Sequence, residues 1–122
     1  MFSENFFKVL EHEGVVSIVT WAEGKAHVSN TWNSYLVIKD NKILIPAAGM
    51  IETQKNIEVN NNVKLTLGSK EVQGHIGMGI GFLIEGTAQF LDSGSEFNAM
   101  KEKFSFLSRV LEITVTKAEQ TL

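Results

Sequence analysis

Cysteine is absent from this sequence, which excludes disulfides, thiolate metal sites and nucleophilic thiols and suits a reducing cytoplasm. Runs of like charge are also absent, so neither a membrane-surface patch nor an acidic tail is indicated. The net charge of -3 falls short of the basic excess that a phosphate-tracking surface needs, which argues against nucleic acid as a partner. No apolar run approaches the roughly 20 residues of a membrane-spanning helix. The opening Met1-Phe2-Ser3-Glu4-Asn5 has neither a basic region nor a cleavable apolar stretch, so a cytoplasmic location is expected.

What is present is an ordinary globular composition, 43% hydrophobic and 20% charged over 122 residues. That length has room for a single domain over residues 1–122 with one core. So short a chain leaves much of its surface uncovered, and a dimer partner or bound cofactor would add stability.

Periodicity divides the chain into short strands and three modest helices. A first helix carries Phe6, Phe7, Val9 and Leu10 on one side and stops at Gly14. Strands are expected from Gly14 to Trp21, through Val28, from Tyr35 to Lys39 and over 42–45. The pair Asp40-Asn41 forms a tight hairpin turn between the last two, and the single proline, Pro46, ends the fourth. A helix follows over 53–59, then a strand over 62–69. Gly74, Gly77, Gly79 and Gly81 read as a flexible connection into a strand over 82–90. Ser93 and Glu96 have capping-box spacing ahead of a helix bearing Phe97, Met100, Phe104 and Leu107. A strand over 111–117 closes the sequence. Strands that do not alternate with helices fit a closed antiparallel barrel and not a doubly wound parallel sheet.

Side-chain catalysis has little support. His12, His27 and His75 lie far apart without ligand spacing, and Glu11-His12-Glu13 reads as a surface triplet, so no catalytic or metal-ligating residue is assigned. The glycines at 77, 79 and 81 precede a strand, where a dinucleotide fingerprint requires a helix. Two other segments carry more chemistry. Asn30-Thr31-Trp32-Asn33-Ser34-Tyr35 places amides, hydroxyls and two aromatics in one connection. Such a segment can grip a planar heteroaromatic ring, or it can be a turn with two aromatic core plugs. Gly49-Met50-Ile51-Glu52-Thr53-Gln54-Lys55-Asn56 feeds a glycine-containing loop into a helix, whose free N–H groups and dipole favour an anion. There Thr53 and Lys55 either meet a phosphate or, for Thr53, simply cap the helix. Ring and anion sites together suit flavin mononucleotide (FMN).

The hexad at 30–35, the opening from Phe6-Phe7 to Glu13-Gly14-Val15-Val16, Leu67-Gly68-Ser69, Gly81-Phe82-Leu83-Ile84 and the ending from Ile113 to Leu122 resemble one small family over the whole chain. It comprises the small FMN-binding proteins of sulfate-reducing bacteria, within the pyridoxamine 5'-phosphate oxidase-like split-barrel flavoproteins. The resemblance implies a mainly β, six-stranded antiparallel split barrel and a homodimer with one non-covalent FMN per subunit near the interface. By the same resemblance Asn30 to Tyr35 line the ring and ribityl chain, Ala48, Gly49 and Met50 approach the ring edge, and Thr53 meets the phosphate. Glu13 adds negative charge nearby, and Leu122 covers the flavin of the other subunit. Two positions depart from the pattern. Glu52 stands where a basic residue is expected beside the phosphate, which leaves Lys55 or backbone donors to compensate. Phe106 replaces a tryptophan against the ring, with poorer electron donation to excited flavin. With no substrate base or nucleophile, the expected role is an electron carrier whose acidic surface steers a basic redox partner such as a cytochrome. The alternatives are a nicotinamide-dependent flavin reductase or oxidase and a barrel dimer holding a non-flavin ligand.

Overall fold

The computed structural model describes residues 1–122. Its order is α1 (Glu4–Leu10), β1 (Val15–Ala22), β2 (Lys25–Trp32), a 3-10 turn (Asn33–Tyr35), β3 (Val37–Lys39), β4 (Lys42–Ala47), α2 (Ile51–Val59), β5 (Asn62–Gln73), β6 (Met78–Leu91), α3 (Ser95–Lys103) and β7 (Arg109–Gln120). All strands join one antiparallel sheet in the order β2-β1-β5-β6-β7-β4-β3. The seven strands match the segments read along the chain, whereas the count of six implied by the resemblance is one short. The ladder does not close by hydrogen bonds. It opens between β2 and β3, and the 3-10 turn carries the chain across that seam; this is the split of a split barrel. No helix is long and apolar enough to cross a membrane.

Period-two burial builds the interior. On β1 the inward side chains are Val16, Ile18 and Thr20; on β5, Val63, Leu65 and Leu67; on β6, Ile80, Phe82, Ile84 and Ala88. Each large aliphatic among them contributes about 1.5–3 kcal/mol relative to exposure. β7 is buried on both faces over Val110–Ile113. Leu111 and Ile113 enter the main core, while Val110 packs with Leu44, Met100 and Leu107 under α3. α1 is held by Ser3, whose Oγ accepts from the Phe6 N–H at 3.2 Å, and by stacking of Phe2 on Phe6 with ring centroids 4.7 Å apart.

Several local expectations change in the tertiary context. β2 runs on to Trp32, so Asn30 to Trp32 are strand residues and only Asn33 to Tyr35 form the connection. Pro46 lies inside β4 and does not end it; β3 stops opposite Leu44, so one flank of β4 is unpaired at Pro46 and a missing N–H is tolerated there. The glycine connection is a hairpin loop of residues 74–77 between two long strands, closed by the Gly74 N–H to Gly77 C=O bond of 2.8 Å. Ser93 caps nothing. Gly94, at φ 103°, is the N-cap of α3, and Glu96 accepts instead from Ser95 Oγ and Lys39 Nζ. Phe104 and Leu107 lie beyond the end of α3 yet still pack in its cluster.

Candidate functional site

The end of β2 and the turn after it are pinned from below by α1. Asn33 is 1% exposed; its N–H donates to Gly14 C=O at 2.9 Å, and its Nδ2 donates to His12 C=O at 2.9 Å and Val9 C=O at 3.5 Å. Its Oδ1 is buried without a partner. Gly14 fits closely beside it: a Cβ there would come 3.1 Å from Asn33 Nδ2 and 3.3 Å from the Gly68 carbonyl oxygen. Asn33 therefore anchors the hexad from inside and presents no side-chain surface to a ligand, which corrects the expectation for this residue. Thr31 is likewise turned inward, whereas Trp32 is half-exposed and Asn30 is on the surface, accepting from Ser17 Oγ at 3.2 Å.

Glu13 is not part of a bland surface triplet. Its carboxylate accepts from Ser34 Oγ at 2.6 Å, Ser34 N–H at 3.1 Å and Gly14 N–H at 3.3 Å. The Ser34 hydroxyl, then the Ser34 amide, hold the Glu13 carboxyl below the ordinary glutamate range. Because the folded-state value is depressed, the stabilisation is present at neutral pH and is lost as pH falls through that lowered value. The Ser34 amide resonance is expected to titrate with a midpoint below that of an unperturbed glutamate; a midpoint at or above it would refute the contact. His12 pairs instead with Glu71, Nδ1 to Oε2 at 2.9 Å.

On the other side of the 3-10 turn, Tyr35 meets Phe104 and Phe106, with ring centroids 5.4 and 5.5 Å away. Phe106 remains half-exposed. Two residues later the chain reaches the end of β4, where Ser108 N–H donates to Ala47 C=O at 2.9 Å. Arg109 then donates to Ala48 C=O at 3.2 Å, to Gly49 C=O and to Gln54 Oε1. Met50 is left-handed, φ 63° and ψ 38°, and starts α2 with no side-chain cap, so the first N–H groups of that helix lack a capping partner.

Thr53 is neither the cap nor a free donor. It lies in the first turn, is fully buried, and shares a 3.0 Å hydrogen bond with Ser29 Oγ on β2. The side-chain phosphate contact expected of it is not available in this geometry; what it does is tie α2 to β2. Lys55 and Glu52 are exposed and paired at 3.3 Å, beside a cleft of about 360 Å³ that also takes in Lys25 and His27. Leu122 is half-exposed and sits over Gly81 on β6, held by the Thr121 N–H to Gly81 C=O bond of 2.8 Å. Nothing within the chain joins it to the hexad by a hydrogen bond.

Three distant stretches thus converge around the seam: the hexad with Glu13, the Phe104–Arg109 segment, and Ala48–Met50 with the start of α2. Ser29, Ser108 and Arg109 escaped the sequence reading, and Gln54, within the segment 49–56, was given no role there. Only Arg109, the single arginine of the chain, carried any local signal.

An antiparallel barrel left open along one seam defines the split-barrel class. The chain belongs to the pyridoxamine 5'-phosphate oxidase family, whose description matches residues 2–122. It is 47% identical to a protein of Nitratidesulfovibrio vulgaris (strain DSM 19637 / Miyazaki F) named FMN-binding protein, over the whole length of both. Among solved structures, HupZ of Group A Streptococcus superposes with a TM-score of 0.82 at 17% identity, covering 98% of this chain and 94% of that one. An FMN-binding protein of Syntrophomonas wolfei superposes with a TM-score of 0.71 at 14% identity, covering 88% and 76%. At such identities the last two bear on the fold alone.

Proposed function

We propose that this protein binds FMN without covalent attachment at the barrel seam, as a homodimer, and carries electrons. The observation that carries the reading is that the Gly49 and Met50 N–H groups and the uncapped start of α2 have no partner in the chain, with open space over Gly49. A Cβ built on Gly49 meets nothing within 4 Å, so a flat ring edge can approach the backbone there. Half-exposed Trp32 and Phe106 offer ring-sized apolar surface, and end-to-end likeness to an FMN-binding protein supports the same ligand. Bound FMN would supply the redox chemistry; the chain's part is to hold its edge, cover its faces and exclude water. The first-turn N–H groups of α2 would take the phosphate, in place of the buried Thr53 hydroxyl.

Dimerisation is favoured by apolar side chains left exposed around the seam: Val15, Val28, Trp32, Ile51 and Phe106, with Leu122 on the tail. Leu122 covering the partner's flavin belongs to the same proposal. The visible spectrum and chromatography of heat-released ligand test the cofactor: yellow protein releasing about one FMN per chain is expected. A colourless protein that takes up no added FMN would overturn the proposal. Reoxidation of the reduced protein by a basic cytochrome, with no nicotinamide consumption, is expected of a carrier; steady nicotinamide turnover would make it a reductase.

The exposed Glu52–Lys55 pair favours a second reading, a barrel dimer with a non-flavin ligand, because it neutralises the lysine nearest the helix start. Glu52→Lys removes a like charge from the phosphate and is expected to tighten FMN about 5- to 10-fold, on the order of 1 kcal/mol. Unchanged affinity by fluorescence titration would show that Glu52 does not face the phosphate.

A further inference from the structure

Both terminal nitrogens of Arg109 have partners, and those partners are spread over α2, the loop before it and β6. One guanidinium nitrogen donates to Gln54 Oε1 in α2, the other to the consecutive carbonyls of Ala48 and Gly49. Beneath it lies the Phe90 ring of β6, with the guanidinium carbon 5.0 Å from the ring centroid. The ring holds the guanidinium from below and the fork sets its direction, a combination that lysine cannot reproduce.

The consequence lies on the opposite side of the loop. In a trans peptide the C=O and the following N–H point in opposite directions. Holding Ala48 C=O and Gly49 C=O on Arg109 therefore turns the Gly49 and Met50 N–H groups away from it. Neither N–H bonds to any group of the chain. They stand as adjacent unpartnered donors next to the left-handed Met50, a conformation that costs a non-glycine residue about 1–2 kcal/mol and needs its surroundings to hold it. The Gln54 N–H to Met50 C=O bond of 2.9 Å fixes the far end of the same segment.

We propose that Arg109 is the positioning residue for this donor edge: it aims the Gly49 and Met50 N–H groups at the bound ligand without touching it. The inference rests on the FMN reading above. A ring edge gains electron density when the flavin is reduced, so aimed donors bind the reduced ring more tightly than the oxidised one. Arg109 then acts on the redox balance of the cofactor, although it stands behind the loop.

The test uses the full chain carrying Arg109→Lys, which keeps the charge, and Gln54→Met, which releases one anchor of the guanidinium and cannot empty the core. In flavin-free protein, the Gly49 and Met50 amide resonances are expected to shift and exchange faster in both variants, while those of Leu65 and Ile84 in the barrel stay put. In Arg109→Lys, affinity for oxidised FMN is expected to fall about 10-fold and for dithionite-reduced FMN about 100-fold. The tenfold difference corresponds to a two-electron potential lower by about 30 mV. Gln54→Met is expected to show the same direction at smaller size. Equal loss in both redox states with a lowered Tm would mean a merely structural role and overturn the inference, as would unchanged binding in both variants. Failure of the unsubstituted chain to bind FMN at all overturns the functional reading and this one with it.

Discussion

Asn33→Asp is expected to lower the Tm by about 10–15 °C at pH 8 and to recover part of that loss as the pH is brought down. The substitution preserves shape but replaces the two Nδ2 donor hydrogens with a carboxylate aimed at His12 C=O, 2.9 Å away, and Val9 C=O, 3.5 Å away, in a site 1% exposed. Leaving a buried charge unpaired costs about 3–5 kcal/mol, and at this chain length a kcal/mol corresponds to about 3–4 °C. Burial and the facing carbonyls raise the pKa of the new carboxyl above its unfolded value. The penalty is therefore greatest at high pH and shrinks as pH falls through that raised value, where a protonated oxygen again donates to His12 C=O. Asn33→Ala, which leaves the His12 carbonyl without this donor but adds no charge, is expected to cost only about 1–2 kcal/mol with no such pH dependence. Thermal melts of both variants between pH 5 and pH 8 would decide it. Parallel curves for the two would show that Asn33 does not hold α1 through its amide donors. Since Asn33 anchors the hexad, the pH at which Asn33→Asp recovers stability should also be the pH at which it regains flavin.

Gly86→Ala is expected to lower the Tm by about 3–12 °C. Gly86 lies on β6 at the register shift with β7, where Glu85 pairs with Lys117 and Gly86 with Val115, leaving Thr116 as the extra residue. A Cβ there would overlap the Thr114 carbonyl oxygen and press on Ile113 Cγ2 at 3.1 Å. The obstacle is backbone in a central strand pair, so it cannot be relieved by a rotamer change, and overpacking of this kind costs about 1–3 kcal/mol or more. Gly49→Ala is the control, because its Cβ meets nothing. It should melt like the parent while weakening FMN, if the open space over Gly49 is where the ring edge lies. Equal Tm values for Gly86→Ala and the parent would mean that β6 and β7 can separate locally at little cost.

Much of the architecture was legible from local pattern. Alternation along 62–69 and apolar, β-rich runs along 14–21 and 82–90 mark strands whatever they pair with, because side chains two apart must share a face. Asp40-Asn41 specified its hairpin by turn chemistry alone, and the chain does turn there between Lys39 and Lys42. Strand ends were less legible. β2 lengthens to Trp32 because β1 supplies a partner as far as Val15, and Pro46 stays within β4 because β3 has already ended. Pairing partners, more than propensity, set those boundaries.

For the site, residue types alone marked the hexad and the segment 49–56 as candidates, since amides beside aromatics and a glycine before a helix carry chemical meaning at short range; the approach of 48–50 to a ring edge came only from the family resemblance. Roles within those segments were settled elsewhere. Asn33 and Thr53 carry the same polar groups as surface ligand contacts would, yet α1 and β2 bury them as anchors. Arg109 lies 60 residues from Gly49, and no local spacing connects them; the pairing of β4 with β7, Ala47 opposite Arg109, brings them together. The sequence by itself determined which segments form strands and helices and where polar chemistry gathers, because both depend on neighbours a few residues away. Only the tertiary structure decided which polar groups face inward and which backbone donors are left free, because burial and carbonyl orientation depend on contacts between residues far apart in the chain.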